Sequence, residues 1–137
     1  MKYLIVILLL ITSSSLFAQK EGPDPLNEYA YLTKYKTHYK NEQEVEAKET
    51  SIMIMGNHKK QQLTVGKNVI SYKVLRVYDD AKTYKGNYSI IECIAFDSDN
   101  RTLHLNTLLD IDNKGRVILI LGYMDGETYI YQCEILY

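Results

Sequence analysis

The stretch "DIDNKGRVILILGYMDGETYIYQCEI", Asp110 to Ile135, decides the fold. It opens like a calcium loop and continues like a β-strand. An EF-hand loop needs oxygen ligands at its first, third and fifth positions and a bidentate Glu at the twelfth. Asp110 and Asp112 fit, but Lys114 holds the fifth position and Leu121 the twelfth. The calcium reading therefore fails, and two glycine-turned β-hairpins remain.

Register tests that reading, because a slip of one residue moves every side chain to the other face of a sheet. A three-residue Met124-Asp125-Gly126 loop, with Gly126 at positive φ, pairs Leu121 with Tyr129, Leu119 with Tyr131 and Val117 with Cys133. One face is then wholly apolar. A two-residue Asp125-Gly126 turn would instead set Leu119 against Gln132 and Val117 against Glu134. The same logic at Asn113-Lys114-Gly115 pairs Ile111 with Val117, Leu109 with Leu119 and Leu105 with Tyr123, with Asp112 and Arg116 as a flanking ion pair. The expected core face comprises Leu103, Leu105, Leu109 and Ile111, then Val117, Leu119, Leu121 and Tyr123, then Tyr129, Tyr131, Cys133 and Ile135.

Working outward, the runs "SIMIM", "QQLTV", "VISYKVLRVY", "NYSIIECIAF" and "TLHLNTLLDI" are of strand length and composition. The turns between them are too short to hold a crossover helix, so the strands are antiparallel. The expected fold is all-β: an antiparallel meander forming a curled sheet or a small barrel over residues 50–137. Residues 19–49 form a polar, Tyr-rich N-terminal segment. There Tyr29, Tyr31, Thr33, Tyr35, Thr37 and Tyr39 alternate at strand period, while Asp24-Pro25 reads as a helix start and Tyr31, Tyr35 and Tyr39 also suit a helix. Its structure stays open.

The chain begins with one cation at Lys2, an apolar run from Tyr3 to Ile11, a Ser-rich neck and Ala18, which is the pattern of a signal peptide over residues 1–18. The run is too short to anchor in about 30 Å of hydrocarbon, which takes ~20 residues. The sequence thus predicts an exported protein, periplasmic or extracellular, with no transmembrane anchor in the mature chain. Loss of the leader removes Lys2 alone and takes the net charge from −1 to −2. That balance argues against nucleic acid as a partner, since such affinity comes from many cations on phosphates.

No catalytic or cofactor motif emerges. His38, His58 and His104 lack metal-ligand spacing and read as surface residues. Carboxylate pairs such as Asp79-Asp80 and Asp97-Asp99 fall in turns, where short polar side chains stabilise the backbone. No nucleophile elbow, phosphate loop or zincin pattern is present. A non-enzymatic protein without cofactor or metal is expected. Cys93 and Cys133 are candidates for a disulfide in an exported chain. In a flat meander they lie three strands apart, roughly 14 Å, beyond the ~7 Å that a bridge allows, so the alternative is two buried thiols.

The hairpins "SIMIMGNHKKQQLTV" and "VILILGYMDGETYIYQC" give residues 50–137 a pattern that resembles small signal-peptide-bearing bacterial β-meander proteins of unknown function. More loosely, the chain is similar to lipocalin-like barrels, a resemblance that implies a cup for a small apolar ligand. The chain has no Trp, so the Gly-x-Trp of that family is absent.

The residues themselves favour a protein- or glycan-interaction module. Thirteen tyrosines against two Phe supply flat, half-polar side chains suited to wet interfaces. Opposite the core, Leu108, Ile118, Ile120 and Ile130 form a candidate partner surface rimmed by His104, Asn106 and Gln132. The N-terminal segment is the alternative occupant of that face. A carrier of a small apolar ligand is the competing function.

Overall fold

The structure is a computed structural model, and residues 27–83 and 86–137 are described. The expected leader and the Asp24-Pro25 signal lie outside these residues. The described chain is all-β, with nine strands: β1 Glu28–Lys40, β2 Gln43–Glu49, β3 Met53–Asn57, β4 Gln62–Val65, β5 Asn68–Thr83, β6 Gly86–Asp97, β7 Thr102–Asp110, β8 Arg116–Tyr123 and β9 Glu127–Ile135. Strands β3 to β9 form an antiparallel meander. The segment left open by the sequence supplies β1, which pairs with β3 on one side and β9 on the other. Eight strands thereby close into a barrel, and β2 extends the wall along the upper half of β1.

Closure solves a problem that an open sheet would leave, because a barrel turns its apolar face inward all round and shares its edges. Ile54, Leu63, Ile70, Leu103, Val117 and Leu119 are fully buried in its interior, with Cys93 and the rings of Tyr31 and Tyr131 among them. Leu119 and Tyr131 face each other across β8 and β9, Leu121 faces Tyr129 and Val117 faces Cys133, as a three-residue loop at Gly126 demands. Gly126 has a φ of 96° and Gly115 of 100°. An added Cβ at Gly126 would also collide with the Asn41 side chain, whose backbone N–H donates to Gly126 O at 2.9 Å.

The second hairpin departs from expectation by two residues. Leu109 faces Val117, Thr107 faces Leu119, Leu105 faces Leu121 and Leu103 faces Tyr123. The physical reason lies in Asp110, whose Oδ1 accepts the backbone N–H groups of Asp112 and Asn113, both at 3.0 Å. This Asx turn ends β7 at Asp110 and lengthens the loop. A shift of two preserves the facing of every side chain, so the core survives while Ile111 leaves it, 39% exposed. Ile135, the last residue of β9, pairs with Tyr31 but is 40% exposed and likewise lies outside the core. The expected Asp112–Arg116 ion pair gives way to Arg116 with Asp110 at 3.8 Å, while Asp112 accepts from Asn87 Nδ2 at 3.2 Å.

The strand-period alternation, one of the two readings the sequence leaves open for this segment, also breaks along β1. A bulge at Lys34 lets Cys133 pair with Thr33 and Gln132 with Tyr35. Tyr29, Tyr31 and Thr33 therefore face inward below the bulge, and Lys36 and His38 above it. Bulges sharpen the local bend of a strand, and here one sits on the strand that closes the barrel. Strand β5 carries two more, at Leu75 and at Asp79-Asp80.

Candidate interaction surface

The outward side chains of β6 to β9 form cross-strand rows. In one, Tyr78 of β5 is followed by Ile90, Leu108, Ile118 and Gln132. In the next, Arg76 is followed by Glu92, Asn106, Ile120, Ile130 and Thr37. The structure thus brings Leu108, Ile118, Ile120 and Ile130 together on the outer wall, as the sequence predicts, and adds Ile90. All five are half-buried, each shielded in part by its cross-strand neighbour. Within the band, Asn106 Oδ1 is buried without a hydrogen-bond partner. His104, predicted to rim the band, is exposed in the row beyond Asn106. The described part of the N-terminal segment is built into the barrel as β1 and β2.

Sequence reasoning missed the most exposed apolar run. Beyond Ser71, β5 loses its β4 neighbour, and Tyr72 N–H donates to Gln61 O at 3.0 Å as the last bond on that side. From Lys73 onward, among the described residues, β5 pairs with β6 alone. Val74, Leu75, Val77 and Tyr78 are 40, 51, 55 and 42% exposed. The signal was present in the unequal lengths of "QQLTV" and "VISYKVLRVY", since a four-residue strand cannot cover a sixteen-residue one.

A polar cluster caps the barrel end near the β8–β9 turn. Arg101 lies 4.0 Å over the Tyr123 ring and donates to Asp125 at 2.8 Å and Glu127 at 3.1 Å. Tyr129 O–H donates to Glu127 at 3.2 Å, and its ring stacks on His38 at 4.3 Å and 8°. His38, read from the sequence as a surface residue, is thus drawn inward by the bulge below it, its Nε2 at 3.8 Å from Glu127 Oε2. The inward Lys36 ammonium sits 5.4 Å from the Tyr129 ring centroid and 5.8 Å from that of Tyr131. Most of these groups answer one another's charge, so the cluster acts as a clasp across β1, β8 and β9.

The turn acids do structural work as well. Asp97 Oδ1 accepts from the backbone N–H groups of Asp99 at 3.0 Å and Arg101 at 2.9 Å. Burial pushes its carboxyl upward, but these two donors win and hold it below the ordinary carboxylate range. Among the described residues, no three His, Cys, Asp or Glu side chains gather as a metal site. A surface groove of about 460 Å³ beside the β7–β8 turn presents Lys34, Lys114 and Arg116. Lys34 is answered by Glu134 at 3.7 Å and Arg116 by Asp110 at 3.8 Å, which weakens its appeal to an anion.

Cys93 and Cys133 are free and buried. The barrel closes between β9 and β1, so β6 and β9 remain three strands apart, as in a flat meander. Burial pushes both thiols up to about 11, and Cys133 Sγ lies 3.5 Å from Thr33 Oγ1. They behave as small core side chains. Among the described residues, no helix is long and apolar enough to cross a membrane.

No family model, no curated protein and no solved structure matches the chain.

Proposed function

We propose that the chain is an exported, non-enzymatic recognition domain that docks a partner protein on the outer wall of β6 to β9. The observation that carries this reading is the continuous aliphatic band of Ile90, Leu108, Ile118, Ile120 and Ile130 on the outside of a barrel whose inside is already filled. Aliphatic side chains offer a protein surface to pack against, whereas a glycan asks for ring planes and convergent donors. The Ser-rich leader pattern supports export, and the pattern shared with exported β-meander proteins supports the same compartment.

A lipocalin-like carrier is the second reading, favoured by the closed eight-stranded barrel. A carrier needs an empty interior of about 300 Å³ or more. Here Leu63, Ile70, Leu103 and Leu119 fill inward positions with 0 or 1% exposure.

The test compares the protein with Ile120→Lys and Ile130→Lys variants. Their side chains face outward, and circular dichroism of each variant checks that the fold is kept. A host protein captured by the parent and lost with both variants supports the reading. Native mass spectrometry that finds a co-purifying apolar small molecule would replace it with the carrier, and binding confined to an immobilised glycan would replace it with sugar recognition.

A further inference from the structure

The outer edge of β5 is a second surface, independent of the docking wall. Over Lys73 to Lys82 it has no strand partner among the described residues, and its apolar side chains are exposed on both faces. An unpaired strand edge is a template for another strand, because each free N–H and C=O gains a partner on pairing. Natural edges are commonly guarded by charge, and this one carries Lys73, Arg76, Asp79, Asp80 and Lys82. Their order is the informative part. Lys73 and Arg76 precede Val77, whereas Asp79 and Asp80 follow Tyr78 with Lys82 beyond them, so one half of the edge has a net charge of +2 and the other of −1.

We propose that this edge pairs antiparallel with the β5 edge of a second copy about a two-fold axis. Reversal of the partner sets Lys73 and Arg76 of one copy, the latter also 3.2 Å from Glu92 of its own sheet, beside Asp79 and Asp80 of the other, twice over by symmetry. The apolar run Val74, Leu75, Val77 and Tyr78 meets itself between these charged ends. A same-direction pairing would oppose like charges, and a generic edge-binding peptide would not be selected by this segregation. The contact is isologous and closed, so it stops at a dimer. Joined in this way, the outer rows that begin at Arg76 and Tyr78 run on from one barrel into the next, giving two docking walls on one sheet.

Sedimentation equilibrium on the full protein, over a concentration series, reads the association directly. The expected species is twice the 15.9 kDa of the chain, less the leader where it is removed. K73E/R76E leaves Lys82 as the sole cation and takes the edge to a net charge of −3, and D79K/D80K makes it wholly basic. Each alone should dissociate roughly tenfold more readily, through the loss of several exposed charge pairs. An equimolar mixture should restore the dimer as a heterodimer. Concentration-dependent hydrogen-exchange protection of Val74 to Tyr78 gives a second readout on the unmodified protein. A monomer at all concentrations, or a dimer indifferent to both charge variants, overturns the proposal. Neither result bears on the docking wall of β6 to β9, which is tested by its own variants.

Discussion

Gly56→Ala is the sharpest test of how the barrel interior is packed. Gly56 lies on β3 directly opposite Tyr29 of β1, on the inward face. A Cβ added there would fall on the ring and hydroxyl of Tyr29. That ring is held by three neighbours: Tyr31 at 5.2 Å, His58 at 4.3 Å and the Tyr72 hydroxyl at 3.1 Å. One extra methyl therefore forces a choice. If the ring stays, β1 and β3 must part, an overpacking cost of about 1–3 kcal/mol. If the ring leaves, the protein loses one hydrogen bond worth about 1 kcal/mol. It also loses roughly half the burial of a tyrosine, some 100 Å² at ~25 cal/mol/Å², or about 2.5 kcal/mol. Gly56 has no positive φ, so the backbone accepts Ala and recovers about 0.4–1 kcal/mol through the unfolded chain. The net expectation is a loss of about 0.5–2.5 kcal/mol, near 2–12 °C in Tm for a domain of this size. Urea unfolding followed by circular dichroism measures it. Tyr29→Ala in the Gly56→Ala background should then cost less than Tyr29→Ala alone, because the clash is gone. Parent-like stability for Gly56→Ala, within about 0.5 kcal/mol, would refute the packing described for Tyr29.

Leu119→Ala removes a side chain 1% exposed and should cost about 2–5 kcal/mol in urea unfolding; a loss under 1 kcal/mol would place Leu119 outside the core. Cys93 and Cys133 should resist a thiol reagent at pH 8 in the folded protein and both react after unfolding, whereas a mass two hydrogens lower than the reduced chain would reveal a bridge. Stability should fall above pH 9, because burial raises Cys93 and Cys133 to about 11 and Tyr123 to about 12. A raised acid keeps its full contribution below its unfolded pKa and loses it as pH climbs through the folded value. Asp97, held low, contributes above the ordinary carboxylate pKa and loses that contribution as pH falls. Urea midpoints across pH 3–11 should therefore plateau near neutrality, and a midpoint rising from pH 9 to 11 would contradict the burial of the thiols.

Much of this fold was legible because antiparallel hairpins write their register locally. Gly126 and the alternation on both sides of it suffice to pair Leu119 with Tyr131. At Asp110 the same reasoning slipped by two residues, since an Asx turn competes with the ladder through hydrogen bonds that hydrophobic alternation does not record. Closure was less legible. The pairing of β9 with β1 joins Tyr131 to Lys36 across the whole domain, and the bulge at Lys34 disguises which residues of β1 face inward. A lysine at Lys36 and a histidine at His38 look like surface residues until the rings of Tyr129 and Tyr131 are seen to receive them. The outer band was readable as the reverse side of the same alternation. The open edge of β5 was not, because exposure there depends on the brevity of β4.

The β9–β1 seam tests the account most directly, because everything assigned to inside or outside follows from it. In the isotopically labelled protein, the account predicts cross-strand NOEs between Tyr131 and Lys36 and between Tyr129 and His38, with slow amide exchange along that seam. Intact β8–β9 NOEs together with an unprotected seam lacking both contacts would make the molecule an open sheet and contradict the closed barrel.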